Sequence, residues 1–146
     1  MNRRRVMICL TGLFLWIAFI FCRSLQPADA STAESRWMLE LLQQILPVEL
    51  SMWLVRKLAH FTEFAILGVL AGLLFGSRCQ RFRTGFLFAV MTGVMTALCV
   101  ETIQLFVAGR TGQVQDVWLD TAGAFTGAVL ALLGTGIGLT MTGVGL

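Results

Sequence analysis

Uncharged, mostly apolar residues fill four long runs of the chain, and polar residues collect between them. The runs are residues 6–22, 67–77, 85–100 and 129–146. With their flanks, each approaches the roughly 20 residues that cross a bilayer. We therefore predict membrane spans at residues 6–22, 53–75, 85–107 and 117–139. The chain is then an all-α, integral membrane four-helix bundle with a tail at residues 140–146.

The first span must be weighed against a cleaved signal peptide. The run follows arginines at residues 3–5 and precedes Ala28-Asp29-Ala30, and a signal peptide shows the same order of features. The run is long for a signal core, however, and carries bulky residues such as Trp16 and Phe19. We therefore favour a retained helix at residues 1–22.

A polar segment at residues 23–52 separates the first two spans. Ser31 and Glu34 have the spacing of a capping box, which predicts a short helix that begins at Ser31 and ends before Pro47. Its apolar residues share one face, so we predict an extracytoplasmic amphipathic helix that lies flat at the membrane surface. They are Trp37, Met38, Leu41, Leu42, Ile45 and Leu46.

Basic residues flank the apolar runs in two clusters, at residues 3–5 and at Arg78, Arg81 and Arg83. If both clusters are inside, the positive-inside rule puts both termini in the cytoplasm of a multi-pass protein of the bacterial inner membrane. The segment at 23–52 then faces outward. Because the basic residues border spans, the net charge of +3 indicates topology signals, and no nucleic-acid partner is predicted.

Composition supports a lipid environment. The chain is 57% apolar and 13% charged, with a mean hydropathy of +0.81, whereas soluble domains carry about 25% charged residues. The four cysteines show no CxxC spacing, and one histidine is available to help them, so we predict no zinc site, no other metal and no cofactor.

Small residues recur at four-residue spacing on two predicted spans. Gly68, Gly72 and Gly76 follow one another on the second span, and Gly123 and Gly127 lie on the fourth. Such spacing lets helix backbones approach closely. We interpret all five glycines as helix-packing positions.

Nine polar residues lie near the ends of the predicted spans, although the hydrocarbon core of a membrane disfavours polar side chains. They are Arg56, Lys57, His60, Glu63, Glu101, Gln104, Arg110, Asp116 and Asp120. Helical periodicity places those of each span on one face, and at 1.5 Å per residue His60, Glu101 and Asp120 all lie roughly 24 to 27 Å above the cytoplasmic edge. We therefore predict one polar site beneath the outer surface, in which cations and carboxylates compensate one another.

The cluster has a structural and a functional interpretation. Arg56, Lys57, Arg110 and Asp116 lie closest to the span ends, where ion pairing or snorkelling to the headgroups would explain them. His60, Glu63, Glu101 and Asp120 lie one or two turns deeper, and intramembrane ionisable residues of this kind usually mark a functional site. His60 could carry a proton or serve as a fixed hydrogen-bond partner.

At these residues the chain resembles the VanZ-like family of small bacterial membrane proteins, which is named after a component of glycopeptide (teicoplanin) resistance. Three blocks carry the resemblance in order: RKLAHFTEF at residues 56–64 with Gly68, ETIQLF at residues 101–106 through Gly109-Arg110, and Asp116-Val117 with Asp120, Gly123 and Gly127. It covers about residues 53–133. Ala108 stands where the family pattern has proline, and Asp120 where it has asparagine.

The resemblance implies a role in the cell envelope and gives no reaction. The first hypothesis is a protein without catalytic activity whose Arg56, Lys57 and Arg110 hold a phosphate-bearing lipid headgroup or a cell-wall precursor and affect glycopeptide susceptibility. The second is a membrane enzyme in which His60 and the carboxylates perform acid-base chemistry on such a lipid. The third is a small proton-coupled carrier. Because no serine or cysteine nucleophile accompanies His60, and no repeat or broken helix suggests a carrier, the first is preferred.

Overall fold

Helices make up the regular structure of this chain. A computed structural model describes residues 3–79 and 81–142, with side chains up to Gly134. Its helices are α1 (Arg3–Ser24), α2 (Ala28–Ile45), α3 (Met52–Arg78), α4 (Phe82–Gln104) and α5 (Val114–Thr142). Over the described residues, α1, α3, α4 and α5 are long and apolar enough to cross a membrane. The predicted all-α class with four spanning helices is confirmed.

The ends of the helices differ from the predicted spans. α4 ends at Gln104, three residues earlier than predicted, because the chain turns back through Gly109, whose φ of 72° is in the left-handed region. Hydropathy alone could not separate the apolar residues of this turn, such as Phe106, from the span. α5 continues through Thr142, so the predicted tail is partly helical, and residues 143–146 lie outside the described part.

The capping box predicted at Ser31 is wrong. α2 begins at Ala28 with Pro27 at its N-cap, and Ser31 is a buried residue inside the helix. Proline suits this end because it has no N–H to leave unpaired. Glu34, the expected partner of Ser31, forms an ion pair with Arg23 instead. The C-terminal end at Ile45 agrees with the prediction.

Most of α2 is exposed to the surroundings. Ser31 is its one buried residue, whereas Trp37 is 62% and Ile45 is 68% exposed. The helix packs mainly against α3 and lies across the ends of the spanning helices, where it joins α1 to α3. An amphipathic helix with large apolar side chains facing outward fits the predicted position at the membrane interface.

The centre of the bundle is the contact between α3 and α5, where small residues allow the backbones to touch. A Cβ atom added to Gly68 would collide with the backbone carbonyl of Ala124, and one added to Gly127 would collide with the carbonyl of Ala65. Both side chains would therefore require the helices to move apart. Fully buried apolar residues surround the contact: Phe64, Leu67, Ala71, Ala124 and Ala128.

α1 packs on the outside of α3 and α4 through one narrow face. Leu13 and Ile20 are buried there, Trp16 donates its indole N–H to the backbone oxygen of Glu63 at 2.9 Å, and the Ser24 hydroxyl donates to the backbone oxygen of Val100 at 3.1 Å. The other faces of α1 are apolar and exposed, with Phe14 70% exposed. Lipid is the environment that suits such a surface.

Four helix ends meet at one end of the bundle, which we call the polar end. It consists of the last turns of α1 and α4, the first turns of α3 and α5, the α4–α5 turn and α2, as the ion pairs between these elements show. The fold therefore gathers polar residues that are far apart in the sequence. These contacts define the candidate site.

Candidate functional site

Three ionisable side chains from three helices converge within the polar end, and we call them the deep triad. His60 comes from α3, Glu101 from α4 and Asp120 from α5. His60 Nδ1 lies 3.3 Å from Asp120 Oδ1, and one nitrogen or oxygen atom from each residue lies within 4.8 Å of the other two. Glu101 and Asp120 are buried. Their spacing permits the three residues to share one cation or one proton.

Hydrogen bonds leave much of the deep triad unsatisfied. Glu101 Oε2 accepts the backbone N–H of Gln113 at 2.7 Å, which ties the end of the α4–α5 turn to α4. Glu101 Oε1, both carboxylate oxygens of Asp120 and His60 Nδ1 are buried and have no hydrogen-bond partner among the described residues. Burying a carboxylate without donors is costly. The triad therefore requires a further partner.

Lys57 and Asp116 form an ion pair beside the deep triad. The pair joins the first turns of α3 and α5, and both side chains are mostly buried. It is one turn from His60 on α3 and one turn from Asp120 on α5. Because each charge has a direct partner, the structural interpretation fits these two residues.

Arg23 is a member of the site that the sequence did not predict. Its Nε lies 2.8 Å from a carboxylate oxygen of Glu63, and its Nη1 lies 2.6 Å from a carboxylate oxygen of Glu34. Gln26 donates to the other oxygen of Glu34 at 3.0 Å. One arginine thus links α1, α2 and α3. A single basic residue directly after an apolar run, at the end opposite the arginine clusters, was the signal available in the sequence.

A small pocket opens next to this network, and we call it the arginine pocket. It has a volume of about 30 Å³, room for about two water molecules. Arg23, Arg56 and Arg110 all line it, from α1, α3 and the α4–α5 turn. Its remaining lining residues are Ile20, Ser24, Ser31, Ser35, Ala59, His60, Glu63, Phe64, Val100 and Gln104.

Two of the three guanidinium groups lack a carboxylate partner. Arg56 and Arg110 form no ion pair within the described structure, and Arg110 Nε is buried without a hydrogen-bond acceptor. Burial lowers the pKa of the Arg110 guanidinium from its ordinary value, and the positive charges of Arg56 and Arg23 lower it further. The pocket is therefore a place where an anion would be stabilised.

The polar residues are segregated by charge more than the sequence suggested. We expected neighbouring cations and carboxylates to compensate one another throughout the cluster. Instead, among the described residues Lys57 pairs with Asp116, the acids of the deep triad form no ion pair with a lysine or arginine, and Arg56 and Arg110 have no carboxylate partner. His60 belongs to the triad and also lines the arginine pocket. The two unsatisfied halves are thus adjacent.

An apolar groove runs from the arginine pocket between α1 and α3, partly beneath α2. It has a volume of about 360 Å³. Its apolar lining residues are Trp16, Phe19, Met38, Leu42, Val55, Leu58 and Ile66. The groove and the arginine pocket share the lining residues Ala59 and Glu63, so the apolar groove adjoins the cationic pocket.

Comparison with known families gives one result. A family model described as VanZ/LLP1 matches residues 9–135, which is most of the chain. The match includes α1 and α2, beyond the residues 53–133 on which the resemblance was recognised. Searches of curated proteins and of solved structures found no significant match. The chain therefore belongs to the VanZ/LLP1 family and is a VanZ-like, multi-pass membrane protein of the cell envelope.

Proposed function

We propose that the arginine pocket binds the phosphate group of a lipid at the outer membrane surface. The observation that carries this proposal is that Arg56 and Arg110 line one pocket without carboxylate partners. Guanidinium groups present planar sets of N–H donors that match phosphate oxygens. A bound phosphate would neutralise two charges that now repel one another.

A lipid is favoured over a free phosphate because of the apolar groove. Its walls from α1 and α3 include the exposed apolar side chains of Phe19, Leu58 and Ile66, and it shares Ala59 and Glu63 with the arginine pocket. A molecule with an anionic head and a hydrocarbon tail would satisfy both surfaces together. The chemistry fits both a glycerophospholipid and a polyprenyl phosphate of the kind that carries cell-wall precursors.

α2 would have to move for a headgroup to enter, because the pocket holds about two waters as it stands. The polar contacts that hold α2 are the ion pair of Glu34 with Arg23, the hydrogen bond from Gln26 to Glu34 at 3.0 Å, and the hydrogen bond from Ala28 N to Ala108 O at 3.3 Å. Partly exposed ion pairs contribute about 0 to 1 kcal/mol. The ion pair alone would therefore oppose the opening of α2 only weakly.

We propose that the polar end faces outward, as the arginine clusters at the other end of the spans indicate. In a background without the native cysteines, Ala33→Cys on α2 and Thr84→Cys at the start of α4 place exposed thiols at the two ends. A membrane-impermeant thiol reagent added to intact cells should modify Ala33→Cys and spare Thr84→Cys. The opposite labelling pattern would reverse the orientation and exclude an outer-face function.

Lipid binding is tested with the purified full-length chain by native mass spectrometry. The probes are phosphatidylglycerol, a polyprenyl phosphate, and a diacylglycerol with the same acyl chains but no phosphate. We expect phosphate-dependent binding, and the Arg56→Ala and Arg110→Ala variants should each weaken it by roughly tenfold to a hundredfold, because a hydrogen bond to a charged group contributes about 1.5 to 3 kcal/mol. The tighter of the two phosphate lipids identifies the ligand class.

Arg36→Ala is the matched control, since Arg36 is an exposed arginine of α2 that does not line the arginine pocket. It should leave lipid binding unchanged. Equal binding of diacylglycerol and phosphatidylglycerol, or equal effects of the Arg36 and Arg56 substitutions, would contradict the proposal.

If lipid capture affects glycopeptide susceptibility, as the family's name implies, expressing the Arg56→Ala variant in place of the natural protein should change the inhibitory concentration of teicoplanin.

A further inference from the structure

The deep triad contains more unsatisfied carboxylate oxygen than a membrane protein tolerates without a cation. Asp120 is fully buried: its Oδ1 lies 3.3 Å from His60 Nδ1 without the geometry of a hydrogen bond, and its Oδ2 has no donor among the described residues. Glu101 is also more than nine-tenths buried, with Oε1 lacking a donor. One donor atom from each of His60, Glu101 and Asp120 lies within 4.8 Å of the other two, and His60 Nδ1 is 3.3 Å from Asp120 Oδ1. Three helices thus bring buried, poorly paired donor atoms to one place.

Nearby basic side chains do not supply the missing charge. Lys57 is paired with Asp116, Arg23 is paired with Glu63 and Glu34, and neither Arg56 nor Arg110 forms an ion pair with a carboxylate of the triad in the described structure. A neutral imidazole with two carboxylates carries a charge of −2, which one divalent cation cancels. We propose that His60, Glu101 and Asp120 bind a divalent transition-metal ion.

The donor set indicates the class of metal. Imidazole nitrogen suits zinc and its first-row neighbours, whereas magnesium and calcium prefer sites made of oxygen donors. Two carboxylates and one histidine match Zn²⁺ or Mn²⁺. Donor atoms bound at about 2.1 Å lie no more than about 4.2 Å apart across the ion. The observed spacing, within 4.8 Å, exceeds this value by no more than about 0.6 Å.

A shared proton satisfies the triad less completely than a metal ion. A proton between His60 Nδ1 and Asp120 Oδ1, which lie 3.3 Å apart, leaves Asp120 Oδ2 and Glu101 Oε1 without donors. A metal ion contacts a donor atom of all three residues at once and removes the repulsion between the two acids. The three-helix geometry favours the ion for this reason.

The metal would also extend the proposed lipid site. Three protein donors leave open coordination positions on Zn²⁺ or Mn²⁺, and His60 lines the arginine pocket as well as the triad. A phosphate held by Arg56 and Arg110 could therefore supply an oxygen to the ion. This link rests on the proposed function, whereas metal binding itself does not.

Metal binding is tested on the full-length chain, purified in detergent with an affinity tag that contains no histidine. The protein is stripped with EDTA, dialysed separately against Zn²⁺ and Mn²⁺, and analysed by inductively coupled plasma mass spectrometry without added lipid. We expect about one ion per chain. Asp120→Asn and Glu101→Gln should each weaken binding by at least about tenfold, since even changing a residue that only orients a metal ligand costs about 10- to 100-fold in affinity.

Glu40→Gln is the matched control, because it removes one carboxylate from an exposed position of α2 outside the triad. It should retain the ion. Loading the stripped natural chain with Co²⁺ adds a measurement that needs no variant. The visible absorption of bound Co²⁺ reports ligation by nitrogen and oxygen atoms. Metal content equal to that of the dialysis buffer, or equal losses in Glu40→Gln and Asp120→Asn, overturns the inference. Lipid binding that survives without metal would leave the proposed function intact.

Discussion

Replacing Gly127 with alanine should destabilise the folded protein by about 1 to 3 kcal/mol, the range for overpacking a filled core. The new methyl group would collide with the backbone carbonyl of Ala65, which cannot rotate away as a side chain can. Alanine favours a helix over glycine by about 1 kcal/mol, so a net loss shows that packing outweighs propensity. We expect the midpoint of thermal unfolding in detergent to fall by about 5 °C or more. Gly68→Ala should behave in the same way because it meets the carbonyl of Ala124.

Gly134→Ala on the same helix is the control for this prediction. A Cβ atom at Gly134 meets no atom within 4 Å. Its unfolding midpoint should stay level or rise slightly, because the substitution improves helix propensity without a collision. If Gly127→Ala were as stable as Gly134→Ala, the close approach of α3 and α5 would be incorrect.

Breaking the pair between Lys57 and Asp116 should have an effect of similar size. Lys57→Met leaves the Asp116 carboxylate mostly buried without a cation, and Asp116→Asn leaves the ammonium group without an anion. Removing one member of a buried pair costs about 3 to 5 kcal/mol, and partial exposure of both groups brings our expectation to about 3 kcal/mol. Thermal unfolding of each purified variant measures the loss.

The double variant Lys57→Met with Asp116→Asn separates a direct interaction from two unrelated losses. It should be more stable than the sum of the single effects predicts, by about 1 kcal/mol or more, because neither charge is then left alone. Additive losses would show that the two residues act independently. Arg36→Ala again provides a charge-removing control on the exposed part of α2.

Helical periodicity and span length were sufficient to predict much of the polar end. His60, Glu101 and Asp120 lie on three different helices. Each lies about the same number of residues from the cytoplasmic end of its predicted span, and this predicted that the three would lie at the same depth in the membrane. The structure brings them together. This inference worked because a bilayer forces spanning helices to be nearly parallel and of similar length, so position in the sequence converts directly into depth.

Contacts between side chains at the same height could not be predicted in this way. The contact of Arg23 with Glu63 could not be predicted, because nothing in the sequence shows that α1 packs beside Glu63. The separation of Arg56 and Arg110 from the acids depends on helix rotation and on the α4–α5 turn. The metal-ligand geometry likewise arises from three helices, so a search for spaced motifs finds no sign of it.

The two acids that hold Arg23 also become available at different times during synthesis. α1 enters the membrane first and leaves Arg23 at its far end, 11 residues before Glu34 and about 40 residues before Glu63. At about 5 to 20 residues per second, Glu34 is translated within roughly 0.5 to 2 s and Glu63 within roughly 2 to 8 s. Glu34 is therefore the first carboxylate that can pair with Arg23 at the bilayer surface. Glu63 can pair with Arg23 only after α3 has inserted. The Glu34 carboxylate, which fixes α2 over the site in the folded protein, is thus also the group that pairs with Arg23 while the protein is being assembled.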